Sequence, residues 1–151
     1  QHPCFERWSF IYILALDWPK AFDSICPEAL CLALRRFGIC SHLTSIIADI
    51  YRDRIFKVEW EGMASKYHSQ AFGISQGCPL SPFLFCILMT TMMHDCKSYF
   101  PDPGDMLALL YADDTLLVGS DAIMIQRYMH IIADEGRKYG LLLNNSKLEM
   151  M

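Results

Sequence analysis

Long hydrophobic runs are scarce in this sequence of 151 residues. The longest nearly apolar stretch covers residues 83–93, which is 11 residues, and it includes Thr90 and Thr91. A helix that crosses a membrane needs about 18–20 residues, so the stretch is too short and we expect no membrane span. No cationic signal peptide is recognisable at the start of the chain. The sequence begins at Gln1 without an initiator Met, and we therefore expect a fragment of a longer protein.

Glycine and proline are also few, with 8 and 7 residues. These numbers exclude collagen-like and low-complexity sequences. Hydrophobic residues make up 53% of the chain and charged residues 20%, whereas an intrinsically disordered chain needs low hydrophobicity and high net charge. The sequence therefore predicts one globular domain over residues 1–151, long enough to bury a sizeable core.

Paired cysteine motifs are missing as well. The seven cysteines are an odd number, and no two of them have the spacing C-x-x-C. A disulfide framework and a zinc site of the usual spacing are therefore not expected. Reduced thiols in an intracellular compartment are the simplest interpretation.

Basic residues are fewer than acidic ones, 13 against 17, and the net charge is −4. Residues 1–70 hold 8 basic and 8 acidic side chains, whereas residues 71–151 hold 5 basic and 9 acidic ones. By itself this balance argues against nucleic acid as a partner. A bound divalent metal would offset part of the acidity, and a basic segment outside this chain would offset more.

The hydrophobic pattern predicts strands and helices that alternate along the chain. We predict a strand over residues 9–16, helices from 27 to 38 and from 41 to 51, a hairpin of 55–60 with 65–72, a helix over 80–100, a loop over 101–105, a hairpin of 106–111 with 115–118, and a helix over 121–139 that stops at Gly140. The fold class that follows is α+β, a sheet layered with helices.

Two local details of these elements are specific enough to be tested. Ser41 is placed to cap the second helix, and four apolar residues are spaced along one face of it, namely Leu43, Ile46, Ile47 and Ile50. The turn of the first hairpin is predicted at Glu61-Gly62.

Acidic residues at strand ends are the first candidates for chemistry. Asp113-Asp114 lies between two apolar runs, at the predicted tip of the second hairpin, and Asp17 directly follows the apolar run that ends at Leu16. A solvated turn and an ordinary strand-end acid would explain them, since Asp favours turns. Alternatively, the three carboxylates converge and bind hard cations such as Mg²⁺, and a pair of such ions suits in-line phosphoryl transfer.

A loop rich in glycine and proline covers residues 73–82, with the sequence GISQGCPLSP. Gly73, Gly77, Pro79 and Pro82 impose a specific backbone path just before a helix. A plain turn and helix start would explain this pattern. A loop that lets a flat ligand approach the backbone, with Gln76 as its polar contact, would explain it too.

Four blocks in this order resemble the motifs of reverse transcriptases of non-LTR (LINE-type) retrotransposons. Residues 16–25 contain the "KAFD" form of the first palm motif, and residues 73–82 resemble the "QGCPLSP" motif. Residues 111–114 are similar to the YxDD box. In residues 140–147, an Asn precedes a Lys by three positions, as in the motif that follows the box. The second block is highly specific, and together the blocks cover most of the chain.

The resemblance implies the catalytic palm of an RNA-directed DNA polymerase, an antiparallel sheet with helices packed on one face and without fingers and thumb. It implies that Asp17, Asp113 and Asp114 hold two Mg²⁺ ions, with Mn²⁺ as an alternative, and that the backbone carbonyl of Trp18 is a further ligand. Lys147 would lie near the departing pyrophosphate, where a cation or proton donor helps.

The same resemblance implies a binding region for the nucleotide and the template. Phe22 would lie under the sugar and reject a 2′-hydroxyl, and Gln76 would touch the nucleotide or the template strand, with Gly77 and Tyr111 as further contacts. The implied partners are an RNA template, a DNA primer, deoxynucleotides and the rest of the same polyprotein, including a thumb, fingers and an endonuclease. The implied location is the nucleus and the cytoplasm.

Other polar residues receive ordinary roles from the sequence. Asp23 is expected to fix a local turn rather than bind metal. Lys20 is interpreted as a charge at the surface or near a phosphate. The four arginines at 35, 36, 52 and 54 are interpreted mostly as solvated charges, with phosphate contact as the alternative.

One residue departs from the family pattern, and two alternative functions stay open. Pro19 replaces the small polar residue more usual after Trp18 and removes a backbone donor there. A group II intron-type reverse transcriptase is an alternative of the same class. A decayed, inactive remnant that acts only as a folded binding module is an alternative of a different class, although all three acids and Gln76 are present.

Overall fold

The computed structural model of the protein describes residues 10–100, 104 and 106–150, apart from the side chains of residues 145, 149 and 150. Its elements are β1 (Tyr12–Leu16), α1 (Ala21–Ser24), α2 (Pro27–Phe37), α3 (Ser41–Tyr51), β2 (Arg54–Phe56), β3 (Glu59–Trp60), β4 (Met63–Ala64), β5 (His68–Gln70), α4 (Ser81–Tyr99), β6 (Leu107–Tyr111), β7 (Asp114–Gly119), α5 (Ala122–Lys138), a 3-10 turn (Asn145–Lys147) and β8 (Glu149–Met150). The chain divides into a sheet unit (Gln1–Pro19 with Met92–Met151) and a hairpin unit (Lys20–Thr91). The predicted loop over 101–105 lies outside the described residues except for residue 104.

The sheet unit is built on an antiparallel sheet with the strand order β6-β7-β1-β8. Leu14 pairs with Leu117, and Leu16 pairs with Thr115. All four of these side chains are buried. Because side chains alternate between the two faces of a sheet, these pairs define its inner face. The prediction of a strand that ends at Leu16 is confirmed, although β1 begins at Tyr12 rather than at residue 9, which lies outside the described residues.

Helix α5 covers the inner face of the sheet. Its Ile125 approaches Gly119 of β7 so closely that a Cβ on the glycine would lie 3.5 Å from the Ile125 side chain. Asp121 caps this helix, since its carboxylate accepts hydrogen bonds from the backbone N–H groups of Ile123 (2.8 Å) and Met124 (3.3 Å). The prediction of helices on one face of an antiparallel sheet is confirmed.

The outer face of the same sheet is apolar and partly open. Leu107, Leu109 and Leu116 are 53%, 47% and 36% exposed. The pairing of Leu109 with Leu116, and of Tyr111 with Asp114, places these side chains on the face opposite Leu117. The acid Asp114 therefore lies on the same face as this apolar surface.

The hairpin that carries the two adjacent acids has a tighter tip than predicted. Tyr111 pairs with Asp114, so the turn consists of Ala112 and Asp113 alone. Asp114 is the first residue of β7 and not part of the turn. The physical reason is that a two-residue connection matches the right-handed twist of the strands, and Ala112 accepts a φ of 51° to make it.

The hairpin unit contains α2 and α3 followed by a broken hairpin. The predicted stop of α2 at Gly38 is confirmed, since Gly38 adopts a φ of 101° and donates its N–H to the carbonyl oxygens of Arg35 and Leu34. The predicted turn at Glu61-Gly62 is confirmed too, with φ values of 48° and 79°. The two strands are interrupted between the β3–β4 and β2–β5 pairs.

The predicted apolar face of α3 is buried at Ile47 only, and the prediction is wrong for its other three residues. The structure buries Thr44, Ile47 and Tyr51, whereas Leu43, Ile46 and Ile50 are 45%, 45% and 50% exposed. Apolar residues occur around most of this helix, so the sequence pattern does not determine which side faces α2.

The buried Thr44 hydroxyl near the start of α3 is satisfied, because it donates to the Cys40 carbonyl oxygen at 3.1 Å. Cys40, not Ser41, occupies the N-cap position.

Helices α4 and α5 lie close to the predicted bounds, whereas the short helix α1 and strand β8 were not predicted. Helix α4 spans Ser81–Tyr99 and α5 ends before Gly140, which has a φ of 89°. Strand β8 has only two residues, which pair with Ala15 and Leu14 of β1. Among the described residues, no helix has both the length and the apolar character needed to cross a bilayer.

Candidate catalytic site

Asp17 lies directly after β1 and is held by the segment that follows α5. Its carboxylate Oδ2 accepts a hydrogen bond from Asn144 Nδ2 at 3.1 Å. The same oxygen lies 3.7 Å from Lys147 Nζ. The backbone N–H of Asn144 also donates to the carbonyl oxygen of Asp17, at 3.0 Å. The structure thus brings together two residues that the sequence singled out, Asp17 and Lys147, and adds Asn144, whose motif position was the available signal.

Trp18 anchors this strand end in the core. Its side chain is 2% exposed, and its indole Nε1 donates to the Thr115 hydroxyl at 3.2 Å. Gly136 of α5 lies against the ring, because a Cβ at that position would come within 2.9 Å of it. The sequence proposed only the Trp18 carbonyl as a metal ligand, which stays a prediction. The structure adds that the side chain fixes the backbone next to Asp17.

The adjacent acids and Tyr111 lie at the same end of the sheet. Leu16 pairs with Thr115, so Asp17 follows one strand where Asp114 begins its neighbour. Asp113 occupies the turn, and its side chain and those of Asp114 and Tyr111 are exposed. The left-handed conformation of Ala112 costs on the order of 1–2 kcal/mol for a residue with a Cβ. Strain of this kind is frequent at functional sites.

The carboxylates offer the hard oxygen ligands that Mg²⁺ prefers, and their strand ends adjoin. Within the described part of the chain, however, no three His, Cys, Asp or Glu side chains are close enough together to hold a metal ion. Carboxylates brought close together repel one another unless a cation lies between them. The charge that lies beside Asp17 in this structure is that of Lys147. The three carboxylates are therefore chemically suited to divalent cations. That all three bind the same pair of ions stays a prediction.

A second cluster, in the hairpin unit, unites three predicted binding residues. Phe22, Gln76 and Gly77 line one cavity of about 600 Å³ together with Cys78, Pro79, Ser81 and Pro82. The Phe22 ring stacks on Phe85, with 4.7 Å between ring centroids and 12° between planes. The sequence named Phe22, Gln76 and Gly77 as contacts for the nucleotide or template, and this cavity is the space that they share.

The cavity depends on a close approach of two backbone segments. The N–H of Ile74 donates to the Phe22 carbonyl oxygen at 2.7 Å, and the N–H of Gly73 donates to that of Ile25 at 2.7 Å. A Cβ on Gly73 would lie 2.6 Å from the Asp23 carbonyl oxygen, so only glycine fits there. Gln76 Nε2 also donates to Asp23 Oδ1 at 2.9 Å. Asp23 therefore holds Gln76, a role beyond the local turn that the sequence indicated.

Arg54 fastens the loop that carries Gln76 to the broken hairpin. Its guanidinium donates to the carbonyl oxygens of Phe72 (3.1 Å) and Gly73 (2.6 Å) and to the Ser75 hydroxyl (3.4 Å). It also lies 4.7 Å from the centre of the Tyr51 ring. The sequence gave Arg54 the role of a solvated charge, and this is wrong. No local signal marks an arginine whose hydrogen-bond partners lie 18 to 21 residues away.

The family described as "Reverse transcriptase (RNA-dependent DNA polymerase)" matches residues 2–151, which is nearly the whole chain. The chain belongs to this family.

Its relatives are Pol proteins of non-LTR retrotransposons. It is 28% identical over 142 residues to the Pol polyprotein of a type-1 retrotransposable element R2 from Popillia japonica, a match that covers 89% of this chain and 20% of the relative. It is 28% identical over 139 residues to the RNA-directed DNA polymerase from mobile element jockey of Drosophila melanogaster, covering 87% of this chain and 15% of that protein. The chain thus spans one fifth or less of these two proteins.

Solved structures show the same fold. Telomerase from Candida albicans superposes with a TM-score of 0.75 at 21% identity, over 97% of this chain and 28% of that chain. Apo telomerase from Candida tropicalis superposes with a TM-score of 0.75 at 17% identity, over 93% of this chain and 28% of that chain. At these identities the likeness establishes the fold alone.

Proposed function

We propose that the chain is the catalytic palm of an RNA-directed DNA polymerase that joins deoxynucleotides to a primer 3′-hydroxyl along an RNA template. The observation that carries this proposal is the position of Asp17 and Asp114 at adjoining ends of β1 and β7, beside the Asp113 turn, in a chain of the reverse transcriptase family. The R2 and jockey relatives favour a non-LTR element over a group II intron-type enzyme.

The proposed chemistry assigns the three acids to divalent metal. Asp17, Asp113 and Asp114 would hold the ions through carboxylate oxygens, with the Trp18 carbonyl as a further ligand. When bound, a pair of Mg²⁺ ions activates the attacking hydroxyl and stabilises the charge on the transferred phosphoryl group. Lys147 would place its ammonium group near the departing pyrophosphate, where it neutralises charge or donates a proton.

The cavity in the hairpin unit is the proposed place of nucleotide selection. The stacking of Phe22 on Phe85 restricts the movement of the Phe22 ring. A fixed ring under the sugar would exclude a 2′-hydroxyl by contact. Gln76 is held by Asp23, and its amide oxygen and second amide N–H would contact the nucleotide or template. Gly77 would let the strand approach the backbone.

Primer extension by a full-length reverse transcriptase that carries this chain tests the proposal. With an RNA template, a DNA primer, deoxynucleotides and Mg²⁺, the wild type should extend the primer, and Asp113→Asn should lower the rate by a factor of about 10² or more. Asp134→Asn is the matched control, because Asp134 is an exposed acid of α5 that pairs with Arg137 at 2.8 Å. Absence of extension by the folded wild type, or full activity of Asp113→Asn, would contradict the proposal and favour an inactive remnant.

A further inference from the structure

Asn144 connects two parts of the sheet unit through both ends of its side-chain amide. The amide oxygen Oδ1 accepts hydrogen bonds from the Ser146 backbone N–H (3.2 Å) and the Ser146 hydroxyl (2.7 Å), and so caps the 3-10 turn. The amide nitrogen Nδ2 donates to Asp17 Oδ2 at 3.1 Å. The backbone N–H of Asn144 donates to the Asp17 carbonyl oxygen at 3.0 Å. Asn144 therefore holds Asp17 by main chain and side chain at once.

The partners of Asn144 determine which way its amide faces. A flipped amide would put its oxygen against the Asp17 carboxylate, which only accepts hydrogen bonds when ionised. The flip would also set its NH₂ group against the Ser146 N–H. Because the amide oxygen of Asn144 caps the turn, its amide nitrogen must face Asp17 as a donor. The orientation of the Asp17 carboxylate therefore depends on the Asn144 amide, which the backbone N–H of residue 146 keeps in place.

The contacts of Asp17 are unevenly shared between its two oxygens. Both Asn144 Nδ2 and Lys147 Nζ approach Oδ2. The Asp17 side chain is 39% exposed, and the hydrogen bond that orients it is made to Oδ2. A donor fixed on one oxygen restricts rotation of the whole carboxylate. We infer that Asn144 is a positioning residue that turns Asp17 so that Oδ1 is presented to a divalent cation. This inference rests on the proposed function of Asp17.

The variant Asn144→Ser separates positioning from capping. Serine caps a helix start about as well as asparagine, so the acceptor for the Ser146 N–H is retained. A serine hydroxyl is too short to take the place of the amide nitrogen at Asp17, and no charge is added. The matched control is Ser146→Ala, which removes the hydroxyl bonded to Asn144 Oδ1, keeps the backbone N–H bonded to the same oxygen and leaves the contact with Asp17 intact.

The readout is cation affinity, measured without catalysis. Mn²⁺ binding to the full-length protein is followed by electron paramagnetic resonance, and binding that Asp17→Asn abolishes is assigned to this site. Asn144→Ser should weaken this Asp17-dependent binding by about tenfold or more, in line with other residues that orient a metal ligand. The Mg²⁺ concentration for half-maximal extension should rise in parallel, while the rate at saturating Mg²⁺ changes much less. Ser146→Ala should bind Mn²⁺ like the wild type.

Each outcome decides the inference, and circular dichroism first verifies that both variants are folded. Unchanged Mn²⁺ affinity in Asn144→Ser, an equal loss in Ser146→Ala, or no Asp17-dependent binding in the wild type would overturn it. A wild type that binds Mn²⁺ through Asp17 in an Asn144-dependent way but extends no primer would refute the proposed function alone. If Asn144→Ser fails to fold, Asn144→Asp takes its place. Aspartate also caps the turn but cannot donate to Asp17, so it should disturb Asp17-dependent binding where Ser146→Ala does not, and unchanged binding again overturns the inference.

Discussion

At the scale of single residues, Lys147 is the cation paired with the carboxylate of Asp17, at 3.7 Å. It should therefore compete with a divalent cation for that carboxylate. An exposed ion pair is worth about 0.2–1 kcal/mol, so Lys147→Gln should tighten Mn²⁺ binding by up to about fivefold. The same variant should slow primer extension, because the proposed charge near the pyrophosphate is lost. Mn²⁺ titration and single-turnover extension measure the two effects.

The control for this prediction is Lys97→Gln, since Lys97 is an exposed lysine in the last turn of α4. It changes the net charge equally, and it should leave metal affinity and rate unaltered. A Lys147→Gln protein with wild-type rate at saturating Mg²⁺ would show that Lys147 only neutralises Asp17 and takes no part in catalysis.

Phe22 should govern the choice between deoxynucleotides and ribonucleotides. Its ring lines the cavity with Gln76 and Gly77 and is braced by Phe85. Steric overlap with a 2′-hydroxyl would cost about 1–3 kcal/mol, so Phe22→Ala should raise relative ribonucleotide use by about 5- to 150-fold. The measurement is the ratio of kcat/KM for the two nucleotide types. Phe83→Ala is the control, because Phe83 is 70% exposed. An unchanged ratio for Phe22→Ala would show that Phe22 contributes only to packing.

At the scale of elements, the two faces of the sheet should respond differently to the same substitution. Leu117 on β7 is 0% exposed, whereas Leu109 on β6 is 47% exposed. Leu117→Ala should lower the free energy of unfolding by about 2–5 kcal/mol, because it removes buried area and leaves a cavity. Leu109→Ala should lower it by less than about 1 kcal/mol. Urea unfolding of the two variants measures the difference, and equal losses would show that the outer face is covered in solution.

The sequence predicted those elements whose ends carry a strong local signal. Gly38, Glu61-Gly62 and Gly140 adopt positive φ where turns or helix ends were expected, and Asp121 caps α5. Helix α3 was misjudged, because Leu43 and Ile50 are as apolar as the buried Ile47. Its phase is decided by packing against α2, which no local pattern encodes. Strand β8 escaped notice because its two residues are ordered only by pairing with β1.

For the site, the sequence identified the residues that carry the chemistry, while the structure was needed to find the hydrogen bonds that hold them in place. Asp17, Lys147, Phe22 and Gln76 were named from motif positions. Asn144 stood at a motif position too, but its hydrogen bond to Asp17 across 127 positions of the chain was not predicted, and neither was the one between Gln76 and Asp23 across 53. Hydrogen bonds of this range are products of the fold and leave no periodic trace in the sequence.

At the scale of the whole molecule, stability should fall in alkaline solution because of a buried thiol and phenol. Burial raises the pKa of Cys96 from 9.0 to about 12, with Glu135 and Asp95 adding to the shift, and burial likewise raises the pKa of Tyr128 from 10.0 to about 12. The native protein keeps these protons where the unfolded chain releases them. The contribution of these groups to the free energy of unfolding is therefore fully present below pH 9, and it declines as the pH rises from 9 toward 12.

Urea titrations between pH 8 and pH 10.5 measure this decline. Each proton held only by the native state contributes a slope of about 1.4 kcal/mol per pH unit. Cys96→Ala should reduce the slope above pH 9, although it also lowers stability at neutral pH, because Cys96 is fully buried. A slope that Cys96→Ala leaves unchanged would show that the thiol ionises equally in both states.

The 151-residue chain by itself should bind Mg²⁺ weakly and extend a primer little or not at all. It spans 20% of the R2 relative from Popillia japonica and 15% of the jockey polymerase, and its net charge of −4 offers little attraction to the phosphates of a template and primer. Correct positioning of reactants can supply about 7–11 kcal/mol of a reaction barrier, and we expect segments outside this chain to provide most of it. The measurement compares extension by the purified chain and by the full-length reverse transcriptase at equal concentration. Processive synthesis by the chain alone would show that residues 1–151 already contain the means to hold both strands.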